Sequence, residues 1–160
     1  MTRIALIAGA GDLPAELAAE LEAPLVCAMA GTAPDGLAVD VSWHVERLVP
    51  FLRDLGARGV ETVVMAGAVN RPRLDPSLFD RETASLVPDL LAAMQKGDDG
   101  ALRWVIGLIE EFGLRVAGLA EVAPGLLATE GFLAGPEPSA ALLADATRAR
   151  TILQTMGPLD

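Results

Sequence analysis

Nearly continuous apolar runs alternate along this chain with stretches in which apolar residues recur every three to four positions. Arg3-Ile4-Ala5-Leu6-Ile7-Ala8 is of the first kind and closes on Gly9-Ala10-Gly11, as a parallel strand covered on both faces does. Asp12 as a cap and Pro14 in the first turn open a helix with Leu13, Leu17 and Leu21 at helical spacing. Pro24 breaks it, and residues 25 to 29 form a second strand. Gly31 to Gly36 is loop, and Val39-Asp40-Val41 suits a short edge piece. A second amphipathic helix sets Val45, Leu48, Val49, Leu52 and Leu55 against Glu46, Arg47, Arg53 and Asp54, with Trp43-His44 at its start. Pro50 requires that this helix be kinked or start near Arg47. After Gly56 and Gly59, Val60 to Met65 is the third strand, ending at Gly67.

Residues 66 to 82 form a long loop rich in Pro and Arg, where function often resides. Helices follow over about 83 to 95 and 99 to 112, and Leu114 to Leu119 is the fourth strand. Beyond the turn at Gly135-Pro136-Glu137-Pro138, residues 139 to 156 predict a helix with Leu142, Leu143, Ala146, Ile152 and Leu153 as its apolar side. The alternation predicts an α/β fold: a Rossmann-like, mainly parallel sheet with helices on both faces, plus a C-terminal linker helix. Residues 1 to 133 are assigned to the sheet domain and 134 to 160 to a linker and helix leading to a further domain beyond this chain. Such sheets bind ligands beyond the carboxyl ends of their strands, where strand order reverses. The loops after the first and third strands are therefore the places to search.

Composition narrows the function. Of the 160 residues, 52% are hydrophobic and 21% charged, which excludes disorder and allows a substantial core. The net charge of −10 leaves too few cations for a duplex nucleic-acid binder, and it disfavours a polybasic membrane anchor. Cys27 is the lone cysteine, so no disulfide framework or Cys-based zinc site exists, and its apolar surroundings predict a buried thiol. No secretory signal and no apolar run of transmembrane length is present, which makes the cytoplasm the natural compartment.

Three stretches carry candidate chemistry. Gly9-Ala10-Gly11-Asp12-Leu13-Pro14 begins like a dinucleotide fingerprint, but Pro14 stands where the third Gly belongs, and no acid closes the second strand, so NAD is not expected. Glycines after a strand still let N–H groups and a helix N-terminus face a phosphate, whereas the plain alternative is a tight turn capped by Asp12. Met65 to Arg73 places Gly67, Arg71 and Arg73 in a Pro-stiffened loop beyond a strand end, where Arg71 suits phosphate or carboxylate oxygens. The plain reading pairs these arginines with Asp75 or Asp80. Lys96-Gly97-Asp98-Asp99 holds the only lysine and two adjacent acids, fit for a hard cation, or simply for capping the next helix. His44, the only histidine, has no partner for a metal triad, and no serine sits in a Gly-x-Ser-x-Gly elbow.

In order and spacing these pieces resemble the N-terminal domain of the LpxI family, the UDP-2,3-diacylglucosamine pyrophosphatases of lipid A biosynthesis. The matching residues are Ile7 to Pro14, Val63 to Gly67 with Arg71-Pro72, Lys96 to Asp99, Gly113 to Val116, Glu121-Val122 and Leu126 to Ala128. Ser42-Trp43-His44 and Pro50 depart from the pattern, since family members tend to carry glycines before the second helix. The resemblance implies Mg²⁺-dependent hydrolysis of the diphosphate to UMP and the diacyl sugar 1-phosphate. It further implies Gly9, Gly11, Asp12, Gly67, Arg71, Lys96, Asp98 and Asp99 as substrate-binding residues. The catalytic acid and most of the Mg²⁺ site are expected in a C-terminal catalytic domain outside this chain, so the chain alone is expected to be inactive. A two-chain lipid substrate calls for a large apolar cleft and for work at the periphery of the inner membrane. Apolar helix faces beyond core needs leave room for a homodimer. The rival reading is a non-catalytic module that senses nucleotides or sugar phosphates.

Overall fold

The computed structural model describes residues 3–32, 34–69, 74–95, 97–129, 131 and 133–157. Five strands pair in parallel in the order β3-β2-β1-β4-β5: β1 Arg3–Ala8, β2 Leu25–Met29, β3 Val41–Trp43, β4 Val60–Ala66 and β5 Arg115–Ala117. Helices α1 Leu13–Glu20, α2 Leu48–Ala57, α3 Arg81–Met94, α4 Asp98–Glu111 and α5 Leu119–Val122 join or follow them. Alternation along each strand divides the apolar residues between two layers. Ala5, Cys27 and Val63 pack with Phe51, Leu52 and Leu55 of α2 and Ile109 of α4. Leu6, Val26 and Val64 pack with Leu17 of α1 and Ala123 behind α5. Leu6, Leu17, Leu52 and Leu55 are at most 1% exposed, and burying each such side chain contributes about 1.5–3 kcal/mol. The Rossmann-like sheet with helices on both faces is the architecture the sequence predicts.

Local differences have physical causes. The edge piece expected at Val39 to Val41 lies at Val41–Trp43, because Asp40 turns its side chain onto the sheet and accepts from Val26 N at 2.8 Å. Trp43 is thus a strand residue, not a helix start, and its ring stacks on Phe51 with centroids 4.6 Å apart. His44 precedes a 3₁₀ turn, Val45–Arg47, in extended conformation. Pro50 is the third residue of α2, inside the first turn, where its missing N–H breaks no helical bond.

Glu46, assigned from periodicity to a solvated face, is only 5% exposed. Its carboxylate accepts from Asp75 N at 2.8 Å, and its carbonyl accepts from Asp80 N at 3.3 Å. The last strand is shorter than expected, because Gly118 opens α5 where the sequence continued the strand to Leu119. The chain divides into two compact units, one through Leu127 and one from Ala128. The second contains α6, Ala140–Met156, capped by Ser139 Oγ, which accepts from Leu142 N at 3.3 Å.

Candidate functional site

From β1 the chain builds outward to β2 and β3, then returns to place β4 on the other side of β1. Strand order therefore reverses between the carboxyl ends of β1 and β4, the position where parallel sheets take ligands. Each of these strands ends in the same tripeptide: Ala8-Gly9-Ala10 after β1 and Ala66-Gly67-Ala68 after β4. Ala8 and Ala66 are register partners, and the two turns then lock together. Gly9 N donates to Ala66 O at 2.7 Å, Ala10 N to Ala68 O at 2.8 Å, and Ala68 N to Ala10 O at 2.9 Å.

The lock explains the glycines. A Cβ on Gly9 would stand 2.5 Å from Ala68 O. One on Gly67 would stand 2.8 Å from Ala10 O, Gly9 C and Pro14 Cγ, at a φ of +91°. Pro14, buried in the first turn of α1, fills the space against Gly67 where a dinucleotide fingerprint has its third glycine.

The lock also fixes which donors remain. The amides of Gly9, Ala10 and Ala68 are committed to it. Among the described residues, the Gly11 and Asp12 amides reach no backbone carbonyl. Gly11, at φ +96°, has open space where a side chain would project. Asp12 holds the N-cap position of α1 but makes no side-chain cap bond, which corrects its expected role. Its backbone is helical (φ −80°, ψ −30°) rather than extended, and Pro14 removes one of the two amides a cap would reach. Its exposed carboxylate thus stands at the positive end of α1.

Of the other candidates, Arg71 and Lys96 lie outside the described residues, as do Asn70, Pro72, Arg73 and the Asp98 side chain. The described chain runs to Val69, one residue beyond the lock and 59% exposed. Neither Asp98 nor Asp99 is the expected cap of α4. Gly97, at φ +94°, holds that position and the two acids are the first two helical residues. Asp99 Oδ2 accepts from Arg103 Nε at 2.7 Å on an exposed helix face.

Sequence reasoning missed the contributions of Ala68 and Pro14. The repeated Ala-Gly-Ala after two strands is the signal that marks them. Among the described residues, no three of His, Cys, Asp and Glu gather in a group that could hold a metal ion. Asp12 stands there as a single carboxylate. Cys27 takes no part: burial first, then the charge of Asp40, pushes its thiol up to about 12.

A parallel sheet in the order 3-2-1-4-5 with a glycine-lined reversal point defines a Rossmann-type α/β domain. The chain belongs to the LpxI N-terminal domain family, whose pattern it matches over residues 3–126. It is 31% identical over 168 aligned residues to the UDP-2,3-diacylglucosamine pyrophosphatase LpxI of Caulobacter vibrioides (strain ATCC 19089 / CIP 103742 / CB 15). That alignment covers all of this chain and 59% of the relative, so the chain spans about three fifths of the relative's length. Among the described residues no helix is long and apolar enough to cross a membrane.

Proposed function

We propose that this chain is the substrate-gripping part of a UDP-2,3-diacylglucosamine pyrophosphatase of lipid A biosynthesis. Water attacks one phosphorus of the diphosphate and the bridging P–O bond breaks, giving UMP and 2,3-diacylglucosamine 1-phosphate. The interlocked glycine turns carry this reading: they leave the Gly11 and Asp12 amides and the α1 N-terminus at the strand-order reversal. Amide donors and a helix N-terminus favour phosphate oxygens, and Arg71, three residues past Ala68, adds a bidentate cation. Gly9 and Gly67 act by letting the two backbones touch. Lys96, Asp98 and Asp99 are assigned a second contribution to headgroup binding.

The Mg²⁺ requirement belongs to this proposal, with the metal held mainly by groups beyond those described. The water-activating acid, too, is assigned to a C-terminal catalytic domain such as the remaining length of the relative provides. This division makes the chain alone inactive. The enzyme works in the cytoplasm at the periphery of the inner membrane, where its two-chain lipid substrate resides.

Turnover of UDP-2,3-diacylglucosamine with Mg²⁺ separates the alternatives. The 160-residue chain is expected to bind the substrate and release no UMP, whereas a protein of the relative's full length turns it over. In that longer protein Arg71→Ala weakens substrate binding at least about tenfold, since hydrogen bonds to a charged group contribute roughly 1.5–3 kcal/mol. Full turnover by the chain alone overturns the division of labour. Equal losses for UMP, UDP and lipid substrate support a nucleotide-sensing module instead.

A further inference from the structure

Glu46 lies in the 3₁₀ turn Val45–Arg47 ahead of α2, beside the apolar Val45 and one residue before the buried Leu48. Burying a carboxylate is costly unless its oxygens are hydrogen-bonded, and an apolar side chain would fill the same space without that cost. Its placement here serves the bond it makes. Glu46 Oε1 accepts from Asp75 N at 2.8 Å, and its backbone carbonyl accepts from Asp80 N at 3.3 Å. Asp75 lies 29 residues further along the chain, in the stretch that leads from β4 to α3. The other end of that stretch is held as well, because Ala68 exchanges bonds of 2.8 and 2.9 Å with Ala10 in the glycine lock. Six residues, 69–74, separate these two anchors, and Arg71 is among them.

We infer that Glu46 is a positioning residue: by holding Asp75 it fixes the far end of the segment whose near end the glycine lock fixes, and so limits how far Arg71 strays from the strand-order reversal. This role rests on the reading of Arg71 as a ligand for the diphosphate. A segment tied at both ends gives up conformational entropy on folding, before substrate arrives, so less is lost on binding. Without the carboxylate the next backbone anchor is Asp80, whose bond to Glu46 O a change of side chain leaves in place. The span between anchors then grows from six residues to eleven, 69–79. Closing a loop of that greater length is about 2.5-fold less probable, and Arg71 is diluted at the diphosphate by the same factor. Charge is not what the bond requires. An amide oxygen accepts from Asp75 N as a carboxylate oxygen does, whereas an alkyl group of similar size does not.

Calorimetric titration of UDP-2,3-diacylglucosamine into the 160-residue chain tests this inference. Glu46→Leu is expected to weaken binding about two- to threefold, and Glu46→Gln to leave it unchanged. Five glycines inserted between Leu74 and Asp75 reproduce the eleven-residue span with the core untouched, and should weaken binding by about the same factor. Thr83→Val is the control for stability alone, since it removes the buried bond to Val49 N and leaves the Asp75 anchor intact. Its affinity should match wild type. In an Arg71→Ala background Glu46→Leu should weaken binding no further, a non-additivity that a general loss of packing does not produce. Wild-type affinity in Glu46→Leu or in the insertion overturns the inference. So does a loss in Glu46→Gln or Thr83→Val equal to that in Glu46→Leu, or a penalty that persists beside Arg71→Ala. A wild-type chain that does not bind this substrate sinks the functional reading first, and the inference with it.

Discussion

Two glycines and one cysteine show how strongly a single position is constrained by what touches it. At Gly67, both the positive φ and the 2.8 Å approach to Ala10 O forbid a side chain. Gly67→Ala is expected to destabilise the protein by about 1–3 kcal/mol through overpacking and strain. Gly11→Ala meets open space and bears only its conformational cost, about 1 kcal/mol. Urea unfolding of the two variants should rank them in that order, and a larger loss at Gly11 would contradict the lock. Cys27 makes a pH-dependent prediction. Its folded thiol is raised from an ordinary 9.0 to about 12, so the unfolded chain releases the proton first. The stability this contributes is complete below 9 and falls as pH rises from 9 toward 12. Cys27→Ala should lack that alkaline slope when unfolding midpoints are compared across the window.

At the scale of elements, capping decides where helices begin. Asp80 caps α3, accepting from Glu82 N at 2.9 Å and Thr83 N at 3.1 Å through Oδ1 and from Thr83 Oγ1 at 2.6 Å through Oδ2. Burial pulls its carboxyl upward, but these hydrogen bonds outweigh it and hold the group below the usual 3.8. A lowered folded value means stability that is present above 3.8 and lost as pH falls through the folded value. Asp80→Ala should therefore cost about 1 kcal/mol near neutrality, with the difference from wild type vanishing in acid; chemical denaturation at several pH values measures this.

Thr83 couples the same cap to the core, since its buried Oγ1 also accepts from Val49 N at 3.1 Å. Thr83→Val would leave that buried amide unpaired and cost about 1–3 kcal/mol. The existence and type of most helices and strands were legible in apolar spacing. Their ends were not, because Asp40 and Glu46 read as ordinary polar positions until their bonds to Val26 and Asp75 are seen. The same holds for Asp12, whose side-chain cap is defeated by a proline two residues on.

For the whole molecule, the division at Leu127 and Ala128 predicts two responses to stress. Limited proteolysis should cut first between the sheet unit and α6, leaving a core that unfolds at the same temperature as the intact chain. Cleavage that lowers this temperature would mean that the core depends on α6. The glycine lock is likewise a property of the whole sheet, since Gly9 and Gly67 are 58 residues apart in the chain and meet only because β4 lies beside β1.

By itself the sequence determined the α/β class, the parallel strands and the two glycine turns worth searching, because burial on both faces and tight turns impose local patterns on residue type. Tertiary structure alone decided that β4 adjoins β1 and that the two Ala-Gly-Ala turns bond to each other. It also decided that three of their amides are thereby used, while Gly11 and Asp12 reach no backbone carbonyl among the described residues. Strand order is set by long-range packing and loop closure, which leave no periodic trace in the chain.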